Sequence, residues 1–157
     1  MGIHMASRLL HISEIAVIFS DDSLFCDKNV ASMFLPNRYE VVFYNPWLET
    51  VDFAEVVTTA FHEARHAYQK ILIDFPHILP IIENRETVAA WKKEFEEFNE
   101  RDKIPSISRL KQSIEIDAIG YAHYWMAVLF GVKTLIPDEI KEDINSIIVK
   151  FQQASLR

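Results

Sequence analysis

The chain has 157 residues, six His, one Cys and a formal net charge of −7, with half its residues hydrophobic and a quarter charged. That balance excludes disorder throughout, and 3 Gly with 6 Pro exclude a collagen-like or low-complexity fibre. A lone Cys26 excludes a disulfide framework or a cysteine-based zinc finger; no apolar run nears ~18 residues, and the acidic balance argues against a nucleic-acid partner.

The length predicts one domain, taken as residues 8–157. Residues 1–7, MGIHMAS, lack periodicity and resemble vector-derived residues, so the fold is expected to begin after them, with His4 set aside. Arg8–Phe19 is too short and too polar for a secretory signal, and with a single cysteine a cytoplasmic home is expected, with no membrane partner.

The first third reads as extended. Ile15–Phe19 is β-branched and aromatic, Val30–Leu35 is a second candidate strand, and Tyr39–Tyr44 is the clearest, closed by Asn45-Pro46. The remainder reads as helical. Asp52 can cap a helix running to about Asp74, with Val56, Ala60, Ala64, Ala67 and Ile71 spaced by three or four. Pro76 and Pro80 break the chain after it. A charged helix is predicted over Glu83–Arg101, with Val88, Trp91, Phe95 and Phe98 on one stripe. A third helix is predicted over Ser106–Phe130, stopping near Gly131, and a fourth after Pro137. The fold class is therefore α+β: a small N-terminal sheet of about three strands, then about four helices.

One motif carries chemistry. His62-Glu63-Ala64-Arg65-His66 is an HExxH inside the first predicted long helix. Residues four apart stand one above the other on a helix, so the two imidazoles can share one tetrahedral zinc. Glu63 then lies beside the open position, where it can take a proton from the attacking water and hand it to a leaving amine. A third protein ligand is needed. Glu115 and Asp117 sit in an otherwise apolar stretch, and buried acids are rarely unpaired. They lie about 200° apart on a helix, so only one should face the metal. The other could orient a ligating imidazole from behind, and either could instead pair with Arg65 or Lys111. His123 is the competing third ligand, a candidate transition-state hydrogen-bond donor, or a core histidine; Gln69 could line the cleft or face solvent. His77 and His11 are expected to take no part.

The segments AFHEARHAYQ and EIDAIGYA resemble the zincin metallopeptidases, and among them the gluzincins. The second segment is similar to the E-x-x-A-x-x-[FY]-A pattern of ImmA/IrrE-type peptidases and their relatives on mobile elements. The resemblance implies His62, His66 and Glu115 as zinc ligands and Glu63 as general base. It also implies a strand whose edge holds extended substrate, a part for which Tyr39–Asn45 is placed. The likeness covers about twenty residues. Ala64-Arg65 replaces the usual Leu-Gly, 48 residues separate His66 from Glu115, and Ile119 stands where many gluzincins have Asp. The expected activity is a zinc-dependent endopeptidase acting on a protein or peptide, with Tyr121, Tyr124 or His123 as oxyanion donor. A non-catalytic zinc-binding regulatory or interaction module is the alternative. A helical interaction protein is the third, with the Val88–Phe98 stripe facing a partner.

Overall fold

Three strands and seven helices account for most of the residues that a computed structural model describes, which are 1–21, 31–77, 83–97 and 106–155. The lone Cys26, Pro80, Phe98 and the far end of the charged helix lie outside them. Strands β1 (Ala16–Ser20), β2 (Ser32–Leu35) and β3 (Glu40–Tyr44) form one sheet in the order β1-β3-β2. β3 runs parallel to β1 and antiparallel to β2. Val41, Val42 and Phe43 of β3 are all buried, which is why this strand reads as a continuous apolar run without alternation. Both edges of β3 are taken, so the edge expected at Tyr39–Asn45 is interior. The edge strand that packs on the HExxH helix is β2.

Helices α1 (Gly2–Leu9), α2 (Asn45–Leu48), α3 (Phe53–Asp74), α4 (Arg85–Glu96), α5 (Ser106–Leu110), α6 (Ser113–Phe130) and α7 (Lys141–Ser155) complete the chain. The four predicted helices correspond to α3, α4, α5 together with α6, and α7. A 3-10 turn at Asp138–Ile140 leads into α7. Asp52 caps α3 by accepting from the Glu55 N–H at 2.8 Å, and Asn84 caps α4 by accepting from Thr87 at 2.7 Å. α6 ends where Gly131 takes a left-handed conformation, φ 66°. There the N–H groups of Gly131 and Val132 satisfy the carbonyls of Ala127 and Met126.

α3 is the centre of the molecule. It packs on α1, α4, α6 and β2, and from Ala60 to Gln69 every residue except His62 is buried. Two expectations are corrected here. Residues 1–7, set aside as outside the fold, lie largely in α1, whose Ile3 and Ala6 are buried against the α3 cluster. A helix of eight residues is marginal alone and has little local signature; packing on α3 holds it. The third predicted helix is broken at Lys111-Gln112 into α5 and α6. The break is set from outside: the Glu94 carboxylate of α4 accepts from the N–H groups of Ser113 (3.0 Å) and Ile114 (2.8 Å) and from the Ser113 hydroxyl (2.9 Å), capping α6.

α6 approaches α7 at Gly120. A Cβ placed there would lie 2.4 Å from Ile147 Cγ2 and 2.8 Å from Ile147 Cβ. Gly120→Ala gains about 1 kcal/mol of helix propensity. Overpacking of about 1–3 kcal/mol is expected to exceed it, so the urea midpoint should fall. A raised midpoint would show that Ile147 yields freely.

Candidate metal centre

His62 and His66 stand four residues apart on α3, on the side that meets the first turn of α6. Their Nε2 atoms are 3.0 Å apart and their rings are perpendicular. Glu115, in that first turn, brings Oε2 to 3.4 Å from His62 Nε2 and 3.5 Å from His66 Nε2. Four ligands about 2.1 Å from a tetrahedral zinc lie about 3.4 Å from one another. The three atoms thus already have the spacing of three corners of such a tetrahedron. They are the group of His, Cys, Asp and Glu residues, among those described, that could hold a cation.

The group opens on a cavity of about 430 Å³, whose lining includes Ser32 and Phe34 of β2, Thr59 of α3, Phe95 of α4, and Ile119 and His123 of α6. Glu63 also reaches it. That carboxylate is buried, 5% exposed, and accepts a hydrogen bond from the Ser32 hydroxyl at 2.6 Å.

Charge is distributed unevenly around the site. Burial alone would push the His66 imidazole down, but Glu115 and Glu63, with the contact to Gln69, hold it above its ordinary value. Burial would raise Glu115, yet the two imidazoles hold its carboxyl well below the usual range. The His123 imidazole is pushed down to about 4, first by burial and then by His62.

Behind the site lies a buried polar chain that ends on α7. His66 Nδ1 is 2.8 Å from Gln69 Oε1. Gln69 Nε2 donates to the Ile114 carbonyl (3.0 Å) and to Asp117 Oδ2 (2.8 Å). Asp117 accepts from Arg65 through Nε (2.7 Å) and a terminal nitrogen (3.2 Å). Arg65 also donates to Glu83 Oε1 (2.7 Å), and Glu83 Oε2 accepts from Lys150 of α7 at 2.6 Å. The guanidinium carbon sits 4.4 Å from the ring centroid of Tyr68, 5.3 Å from Tyr121 and 5.2 Å from Phe151. Apart from Ser7, the buried polar and charged side chains among the described residues are Glu63, Arg65, His66, Gln69, Glu83 and Asp117, all in the site or this chain.

The geometry sorts the predicted residues. His62, His66 and Glu115 come together, with Glu63 beside them. Asp117 turns to the opposite side of α6 and pairs with Arg65, as one of the two readings of the acids anticipates. It touches no imidazole directly. His123 lies on the cavity wall, its Nδ1 hydrogen-bonded to the Thr134 hydroxyl, and does not join the cation group. Tyr121 and Tyr124 are core residues rather than oxyanion donors. Tyr121 packs on Phe61, Trp125 and Phe151, Tyr124 stacks on Phe151, and neither lines the cavity. Gln69 is fully buried behind the site, neither lining the cleft nor facing solvent. His77 and His11 are exposed and do not belong to the group.

Sequence reasoning missed the roles of Ser32, Glu83, Glu94 and Lys150. Each meets its partner across at least 18 positions of chain, and no local spacing marks such contacts. No helix is long and apolar enough to cross a membrane among the described residues. No protein-family profile, no curated protein and no solved structure matches the chain.

Proposed function

We propose that this chain is a zinc-dependent metallopeptidase of the gluzincin kind. The observation that carries the reading is the convergence of His62, His66 and Glu115 at tetrahedral spacing, with the buried Glu63 carboxylate beside them on an open cavity. Zinc held there would polarise a peptide carbonyl and bring the pKa of water toward ~7. Glu63 takes the proton of the attacking water and returns it to the leaving amine. Ser32 steers the Glu63 carboxylate through its hydroxyl. His123, whose imidazole is pushed down to about 4 by burial and by His62, is the neutral donor assigned to the developing oxyanion. Extended substrate is assigned to β2, an edge strand among the described residues, which supplies one wall of the cavity.

The alternative, a zinc module without catalysis, would call for a fourth protein ligand closing the site. The open cavity on the metal side favours the catalytic reading. A cytoplasmic location belongs to the same proposal, on the ground of the single cysteine.

The deciding measurement is zinc per chain by native mass spectrometry, on the full chain and on Glu115→Ala. One zinc in the parent and none in the variant is the expected result. Zinc kept by the variant would shift the third ligand to His123, which lines the same cavity. No zinc in the parent after zinc is supplied would overturn the metal reading.

A further inference from the structure

We propose that Arg65, acting through Asp117 and Gln69, fixes the tautomer of His66, so that Nδ1 carries the proton and Nε2 presents its lone pair to the metal position. The inference rests on the metal reading for its purpose, but its geometry stands without the metal.

The direction of the chain is set at its far end. An arginine side chain can only donate hydrogen bonds and does not lose its proton in proteins. The Asp117 carboxylate, in an ion pair with Arg65, offers its oxygens as acceptors. Its Oδ2 receives both Arg65 Nε at 2.7 Å and Gln69 Nε2 at 2.8 Å. The Gln69 amide nitrogen has two hydrogens, and both have acceptors: Asp117 Oδ2 and the Ile114 carbonyl at 3.0 Å. A flipped amide would set its oxygen against a carboxylate and a carbonyl at once, inside a fully buried pocket. The amide oxygen therefore faces His66, and an oxygen 2.8 Å from Nδ1 demands a donor there. His66 must then carry its proton on Nδ1. In the neutral ring Nε2 is left as an acceptor, 3.0 Å from His62 Nε2 and 3.5 Å from Glu115 Oε2.

An amide in this place differs from the more usual carboxylate. A carboxylate behind a ligating histidine raises its basicity, whereas a neutral amide orients the ring with less electron donation. Gln69 thus gives fixed geometry without adding a further negative charge to a site that already holds Glu63 and Glu115. Gln69 and Asp117 are positioning residues; neither reaches the cavity.

Two measurements test this on the full chain. The first is the nitrogen-15 spectrum of the His66 ring in metal-free protein at a pH where the ring is neutral. A proton on Nδ1 and a bare Nε2 is expected, and a proton on Nε2 would overturn the proposal whether or not the chain binds zinc. The second is zinc affinity, by competition with a chelator, for the parent and for Gln69→Met, which keeps the bulk and removes the acceptor. Loss of an orienting partner of this kind should weaken zinc binding by about 10–100-fold. Equal affinity would show that the chain does not hold the ligand in place. If the parent binds no zinc, the metal reading fails, and the ring spectrum alone decides the tautomer. That spectrum uses no substitution, so a variant that fails to fold leaves the proposal open to refutation.

Discussion

Arg65→Met should lower the free energy of unfolding by about 3–5 kcal/mol, because it leaves two carboxylates buried without their common cation. Asp117 and Glu83 are 2% and 4% exposed, and each is within 2.7 Å of an Arg65 nitrogen. Lys150 can still hold one oxygen of Glu83, but among the described residues Asp117 would keep only the Gln69 amide. The aromatic walls of Tyr68, Tyr121 and Phe151 supply no compensating charge. Urea unfolding of the metal-free protein measures the loss directly. A double-mutant cycle with Asp117→Asn should show coupling, since the second change removes the charge that the first strands. A loss below about 1 kcal/mol would mean that water reaches Asp117 once Arg65 is gone.

The sequence makes the sheet and the central helix legible because their signals are local. The run Val41-Val42-Phe43 needs no knowledge of its neighbours to be read as a buried strand, and Asp52 marks the start of α3 by its position alone. HExxH is legible for the same reason: four residues along one helix already set the distance between two imidazoles. Glu115 is half legible, since helical geometry says only that it and Asp117 face opposite ways. What remained hidden depends on groups distant in sequence. The break before α6 is made by Glu94, nineteen positions upstream of Ser113, and nothing in Lys111-Gln112 announces it. The place of β3 between two strands cannot be read from β3 itself. Arg65 lies inside the motif, but its burial follows from Asp117 and Glu83, 52 and 18 positions away.

Glu63→Gln should reduce peptide cleavage by the zinc-loaded chain by about 10²–10⁴-fold, the range for removing a positioned acid–base group. Zinc content should not change, because Glu63 is not among the three residues grouped so that they could hold a cation. The amide matches the carboxylate in shape and can still accept the Ser32 hydroxyl through its oxygen, so the loss reports proton transfer rather than collapse of the site. The assay compares cleavage of an unfolded protein substrate by parent and variant at equal zinc occupancy. Cleavage at the parental rate would remove Glu63 from the role of general base and leave the metal site in search of another.

The position of α1 bears on how the protein should be handled. Ile3, Ala6 and Leu10 fill the same cluster as Val57, Ala60 and Phe61, the turns of α3 that lead straight into His62. A protease used to trim the first seven residues would strip Ile3 and Ala6 from that cover and wet the apolar flank of the helix bearing both imidazoles. Preparations that differ only in their leading residues would then differ in thermal stability. Samples compared with one another should share the same amino terminus, and an affinity handle belongs ahead of Met1, which is 77% exposed, with no cut made inside the helix that follows.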